Sequence, residues 1–345
     1  MENLTRPSTH IFRLLRWGRI LARHGALRGI EHDLNTPPQV RALCRVARFG
    51  TFQPRAPDYA GAFTAIGPAA IKLGQALATR PDLVGEDAAL NLLSLQDDLP
   101  PVSFALIQRE IETSFAKPLK ELYASVDPVP VGSASIAQVH KAVTTEGRQV
   151  AIKVMRPGIR EKLARDIDTY EWAAAHLEAL GGEASRLRPR LVIANFKRWT
   201  ARELDLRREA ASSSELAEAM AGFEGYRVPG IDWDRTNGRV MTIDWIEGTK
   251  ISEVGDLQAA GHDLPALAKR LVLAFLTQAI SAGFFHADMH QGNLFVEPDG
   301  TIAAIDFGIM GRIDRRARVW LAEILYGLTT GNYRRVAEID RKSVV

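Results

Sequence analysis

The stretch FFHADMHQGNLFVEPDGTIAAIDFG, residues 284–308, sets three polar residues, Asp288, Asn293 and Asp306, among Phe, Leu, Ile and Ala. NLFVE and TIAAID are alternating apolar runs joined by PDG, a hairpin turn signal. A hairpin brings its two ends together. Asn293 opens the first strand and Asp306 closes the second, so their side chains converge, while Asp288 lies five residues before Asn293 on the preceding loop. Two oxygen donors beside a third carboxylate are what a hard divalent cation carrying phosphates requires. Taken singly, each residue reads as a turn or a cap; taken jointly, on a strand-turn-strand pattern, the three point to chemistry.

The set matches the catalytic arrangement of protein-kinase-like enzymes. There a loop Asp accepts the proton of the attacking hydroxyl, an Asn five residues later holds one Mg²⁺, and the Asp of a D-F-G triplet holds the other. Asp306-Phe307-Gly308 is such a triplet. The pattern requires a strand lysine, an acidic partner and a small-residue loop upstream, and all three are present. Lys153 ends VAIK on the second strand of a ribbon, VHKAV and QVAIKV joined by EG, where an ammonium reaches the α- and β-phosphates of ATP. RELDLRREAASSSEL, residues 202–216, reads as one helix carrying Glu203, Asp205 and Glu209. Asp205 and Glu209 share a face, and Glu209 is the partner for Lys153. The loop, VGSASIAQVH at residues 131–140, keeps Gly132 and sets Ser133, Ala134 and Ser135 where glycines would stand. Its N–H groups can cradle phosphate, yet it lacks the positive-φ freedom of glycine, so the nucleotide is expected in a different pose. The catalytic loop reads His286-Ala287-Asp288 where many protein kinases have His-Arg-Asp. Without that Arg, nothing at this position pairs with a phosphorylated activation segment, and control by ligand, lipid or partner is expected.

Composition narrows the setting. The chain has 345 residues, 46% hydrophobic and 25% charged, enough for two cores. A single cysteine, Cys44, excludes an internal disulfide. No run of eighteen apolar residues and no signal-peptide core occurs, so no membrane span and no secretory route are expected for these residues. The net charge of +3 conceals an asymmetry: residues 1–60 hold ten arginines against four acids, a net of +6, leaving −3 for the remainder. Within IFRLLRWGRILARHGALRGI, Arg13, Arg16, Arg19 and Arg23 recur at helical spacing beside Ile11, Leu14, Leu15, Ile20 and Leu21. A basic amphipathic helix with Trp17 at its edge suits an anionic membrane surface; the same pattern also suits a solvated Arg face whose apolar side packs on its own protein. Nucleic acid is the weaker partner, because stacking aromatics are few and no groove-reading motif occurs.

Along the chain, TPP at 36–38 and TFQPRAP at 51–57 interrupt a helical N-terminal third. Helical periodicity follows at 58–79, 84–97 and 101–116, again at 159–180 and 190–221, and from 256 onward around the opening stretch. Strands fall in the ribbon and, as a second pair, near 226–231 and 239–245.

These motifs together resemble the UbiB family of atypical kinases, the bacterial ubiquinone-biosynthesis proteins and their mitochondrial and plastid relatives. The hallmark K-x-G-Q stands as Lys72-Leu73-Gly74-Gln75, followed by LLSLQDDLPP, the small-residue loop, VAIK, the E-x-D of Glu203 and Asp205, HADMHQGN and DFG. The resemblance covers about residues 60–320. It implies an α+β, protein-kinase-like two-lobe fold: a basic helical region at 1–57, a helical K-x-G-Q extension at 58–125, an N-lobe at 126–248 and a partial C-lobe at 249–345. It further implies ATP and Mg²⁺ as cofactors, with Lys72 and Gln75 reaching the active site as a gate and Lys72 paired to Glu203 or Asp205. The expected activity is ATPase or small-molecule phosphotransfer in ubiquinone biosynthesis. The expected setting is the cytoplasmic side of the inner membrane, held peripherally, with lipid-like precursors and other biosynthetic enzymes as partners. Only 37 residues follow Gly308, so the C-lobe is expected to be truncated. Two other classes share parts of the pattern. Small-molecule kinases of the aminoglycoside and choline type have a similar loop, including His290, but lack the K-x-G-Q extension. A nucleotide-binding scaffold would have little need of both Asp288 and Asp306.

Overall fold

The computed structural model describes residues 7–32, 36, 38–52, 54, 56–95, 99–179, 181, 183–186 and 188–343. The chain forms two compact units interleaved along the sequence. The first comprises residues up to Glu110, Pro128–Val139 and Val154–Leu204; the second comprises Ile111–Asp127, His140–Lys153 and Asp205 onward.

The first unit is mainly helical. Tyr59–Ile66 begins at Asp58, whose carboxylate accepts the Gly61 N–H at 2.8 Å, a side-chain N-cap. The periodicity at 58–79 does not give one helix. Gly67 at φ 126° ends the first segment, and Pro68 opens Pro68–Ala78, the position where a missing N–H costs nothing. Ile71, Leu92 and Leu95 form a core with Tyr59, Phe63, Leu77 and Leu99 against it. Within this core Gly74 is a packing glycine. A methyl there would collide with Leu95 and stand 2.7 Å from the Phe63 ring. Ile159–Ala179 packs along Pro189–Glu203, with Tyr170 and Phe196 ring centroids 6.3 Å apart. Pro7–Arg23 lies on Ile159–Ala179 through Trp17 and Tyr170, centroids 5.1 Å apart. Trp17 is therefore buried, correcting its reading as an edge residue at a membrane surface: a flat indole finds a larger apolar contact on the neighbouring helix than in water.

The second unit joins a sheet and a helical body. Strands Tyr123–Val126, Ala137–Thr144, Gln149–Met155 and Val240–Asp244 lie side by side in that order. Ala137–Thr144 turns into Gln149–Met155 through Gly147 at φ 87°, the EG hairpin read from the sequence. Tyr123 bonds Thr242 across the sheet at 2.7 Å, and Arg235 ties Leu122 carbonyl, Asp232 and Glu146 together beneath its edge. The segments near 226–231 and 239–245 do not pair as two strands. Tyr226–Arg227 runs parallel to Ile302–Ala304 in a separate sheet, and Ile231 meets Ile243 in a single bridge.

That separate sheet contains the PDG hairpin. Leu294–Val296 and Ile302–Ala304 are antiparallel, with Ile302 opposite Val296 and Ala304 opposite Leu294, and Gly300 at φ 84° completes the turn. Leu294, Val296, Ile302 and Ala304 enter one core with Leu216, Leu257, Leu267, Ala274, Phe284 and Phe307. Leu264–Ala282 is the one helix among the described residues that is long and apolar enough to cross a membrane. Here it contributes Leu267 and Ala274 to the core, and its buried Gln278 accepts the His286 N–H at 3.0 Å.

Candidate active site

The candidate site in the second unit gathers around Lys153. In Gln149–Met155 side chains alternate faces, so Val150, Ile152 and Val154 are fully buried while Lys153 points the other way. Its ammonium donates to Glu209 Oε1 at 2.7 Å and to Asp306 Oδ2 at 3.2 Å. Burial by itself would lower the lysine pKa, but the Asp306 and Glu209 carboxylates outweigh it and hold the ammonium charged well above the ordinary range. Glu209 is buried on Leu206–Met220, and its pKa is pushed up by that burial against the pull of Lys153. The Phe307 amide also bonds Glu209, fixing the carboxylate between the strand and the D-F-G segment.

Asp306 lies just beyond Ile302–Ala304 at φ 63°, a left-handed conformation that an Asp tolerates better than most residues. Its Oδ1 accepts the Gly308 N–H at 3.2 Å, and Phe307 turns inward, 2% exposed. Asp306 is itself exposed, as is Asp288. Asn293 ends a single 3₁₀ turn, Gln291–Asn293, immediately before Leu294–Val296. Its amide nitrogen donates to the Asp288 carbonyl at 3.2 Å, and its own carbonyl accepts the Ile305 N–H at 2.8 Å. The loop bearing Asp288 and the end of the strand before Asp306 are thus tied together through Asn293.

His286 is a member of this site that sequence reasoning named without a role. It is 1% exposed. Its Nδ1 accepts the Asp288 N–H at 3.1 Å, so the proton resides on Nε2, which faces the Ile305 carbonyl at 3.4 Å. Its ring meets Phe307 edge-on with centroids 5.5 Å apart. One imidazole therefore braces both the Asp288 loop and the Asp306 segment. A His two residues before the loop Asp is the sequence signal for this role.

Among the described residues no group of three His, Cys, Asp or Glu side chains closes on one point. A divalent cation here would take Asp306 carboxylate and Asn293 amide oxygens and complete its shell from phosphate and water, which suits Mg²⁺.

The remaining sequence-predicted residues are carried by other elements. In the first unit, Lys72 on Pro68–Ala78 pairs with Glu203 at 3.4 Å, both side chains nearly buried, and its ammonium sits 5.7 Å from the centroid of Trp199. Gln75, one turn on, is half-buried. RELDLRREAASSSEL is not one helix. Pro189–Glu203 ends at Leu204, and Asp205, extended at φ −131°, caps Leu206–Met220 by accepting the Arg207 N–H at 3.2 Å. Asp205 also binds the Arg207 guanidinium at 2.7 Å. As a cap it shares no helical face with Glu209, because a short acceptor before a helix satisfies the first free N–H groups better than it serves inside.

Gly132 and Ser133 pair with Val139 and Gln138 as a short antiparallel turn, with Ala134 N–H bonded to the Ala137 carbonyl at 2.8 Å. None of Gly132, Ser133, Ala134 and Ser135 takes positive φ. Arg156, absent from the sequence-predicted site, grips this loop. Its guanidinium donates to the Ala134 carbonyl at 2.8 Å, Ser133 Oγ at 2.8 Å, and the Leu99 and Pro100 carbonyls at 3.2 and 3.1 Å.

The ABC1 atypical kinase-like domain model matches residues 94–340. The chain belongs to the ABC1 atypical kinase-like family. Within that family it is 39% identical over 282 residues to the probable protein kinase UbiB of Marinobacter nauticus, covering 81% of this chain and 52% of the relative. The chain thus spans about half the length of that curated relative. Among solved structures it resembles Rv3197 of Mycobacterium tuberculosis, determined in complex with erythromycin. The TM-score is 0.54 at 27% identity, covering 80% of this chain and 69% of that one. ABC1 membership and the kinase-like fold agree with the α+β, kinase-like architecture expected from the motifs.

Proposed function

We propose that this chain is an ATP- and Mg²⁺-dependent atypical kinase or ATPase supporting ubiquinone biosynthesis. The observation that carries the reading is Lys153, held at 2.7 Å by Glu209 and at 3.2 Å by Asp306, in the same unit as the Asn293-braced Asp288. Such a lysine is poised to trade a carboxylate partner for phosphate oxygens. Glu209 keeps it oriented while Asp306 turns to cation binding. Mg²⁺, when bound, neutralises the charge that builds on the transferring phosphoryl group. Asp288, exposed and fixed at its backbone by His286, positions an attacking hydroxyl or water and accepts its proton.

The K-x-G-Q segment serves as the gate. Lys72 held by Glu203 is a covered cation, and a segment so fastened admits nucleotide while excluding a bulky protein acceptor. Lipid-like ubiquinone precursors are the substrate class, and other enzymes of that pathway are the partners. The Marinobacter nauticus relative is named a probable protein kinase; the gate argues for a small acceptor or water. Phosphate release from MgATP tests the reading. Asp288→Asn is isosteric and should lower turnover by roughly 10²- to 10⁴-fold with nucleotide binding retained. A variant as fast as its parent removes Asp288 from the chemistry.

A further inference from the structure

We propose that the outer faces of Pro7–Arg23 and Pro38–Arg48 form one docking surface for an anionic lipid bilayer. The two helices pack on each other through small residues: a methyl at Gly18 would stand 3.2 Å from Ala47, and Ala22, Cys44 and Ala47 share a buried cluster with Leu27. Residue 18 lies level with 47, and residue 22 joins a cluster with 44, so the helices run antiparallel. That register puts Phe12 and Leu15 at the same end of the pair as Phe49; past it the chain turns back through exposed Phe52, and Pro54 packs against Gly25 beyond the other end of Pro7–Arg23.

The inner side of Pro7–Arg23 is occupied. His10 is 3.2 Å from Thr169 and stacks on Trp172, Arg13 donates to the Arg165 carbonyl at 2.7 Å, and Trp17 packs on Tyr170. The outer residues are large and apolar yet exposed: Phe12 71%, Leu43 61%, Val46 61%, Phe49 83% and Phe52 91%. A water-facing group of this size marks an interaction surface.

Charge selects the partner. Arg16, Arg19, Arg23 and Arg45 are exposed around these side chains. Glu31 is the sole acid among the described residues 7–52; its side chain is 8% exposed, and Arg48 covers it at 3.1 Å. Apolar side chains ringed by arginines, with no acid among the described residues of the two helices, match the acyl boundary and anionic headgroups of a bilayer. A second copy of the same surface would set arginine against arginine. This inference is independent of the catalytic reading.

The test uses the full chain and vesicle sedimentation. Binding is expected to vesicles of equal parts phosphatidylcholine and phosphatidylglycerol, to weaken with added salt, and to be much poorer with phosphatidylcholine alone. Replacing Arg16, Arg19 and Arg23 by Gln should weaken binding on the order of 100-fold, at about tenfold or less per charge. Replacing the same three by Lys should preserve it, which separates charge from folding. Phe49→Ser with Phe52→Ser should lose roughly tenfold or more, and both positions are too exposed to support the fold. Equal binding to the neutral vesicles overturns the proposal. So does unchanged binding by the Gln variant, or a self-associated dimer that Phe49→Ser dissolves.

Discussion

At the scale of single residues, Lys153 is a charge shared between unequal partners. Glu209 is nearly covered, at 9% side-chain exposure, whereas Asp306 is 48% exposed and can find water or a cation instead. Removing the lysine therefore harms Glu209 most. In Lys153→Met, Glu209 would be a buried carboxylate stripped of its cation, a loss of about 3–5 kcal/mol at neutral pH. The pH dependence has a definite sign. Burial raises Glu209 above its ordinary 4.5, so the folded variant holds a proton that the unfolded chain has released, and stability declines as pH rises past that value. Lys153 in the parent is raised above its ordinary 10.5, so its contribution stays constant through the same window. Urea unfolding at about pH 5 and about pH 8 should show the deficit of Lys153→Met smaller at the lower pH. A deficit that does not change with pH would mean that Glu209 gains other cationic company.

At the scale of elements, legibility in the sequence followed how local the cause was. The PDG and EG hairpins were readable because a turn and two alternating runs lie within a dozen residues. The break between Glu203 and Leu206 was not. The apolar spacing runs through it, and only the capping ability of Asp205, a residue equally able to sit on a helix surface, decides the boundary. Tyr226–Arg227 was misplaced because its partner, Ile302–Ala304, lies far along the chain, and pairing of that kind leaves no local trace. The residues of the candidate site stand out as motifs, whereas the groups that brace them do not. Nothing in VGSASIAQVH announces that Arg156 will reach back to it. The bonds from one guanidinium to Ser133, Ala134, Leu99 and Pro100 do for this loop what tight glycine turns do elsewhere: they define its shape. Arg156→Ala should raise amide hydrogen exchange at Ala134 and Leu99, whose N–H groups bond Ala137 and Ser133 within this corner. Arg156→Lys should recover little, since an ammonium lacks the planar fork that reaches several carbonyls at once.

At the scale of the molecule, the units are woven from alternating segments, yet each has a core of its own residues. Ile71, Leu92 and Leu95 centre the K-x-G-Q helices, and Leu216, Leu257, Leu294 and Ile302 centre the body that carries Asp288 and Asp306. Both sets are almost wholly removed from water, so each resists a cavity. Leu257 is fully buried, and truncating it to Ala should cost about 2–5 kcal/mol, the range for deleting a buried leucine side chain. The damage should be read locally. Amide exchange in Leu294–Val296 and Ile302–Ala304 should accelerate, because these strands pack in the core with Leu257, while Pro68–Ala78 keeps its protection. Equal loss of protection in both cores would show that the weave makes one cooperative structure. Protection lost in the second unit alone would show that the K-x-G-Q helices hold their shape on their own contacts.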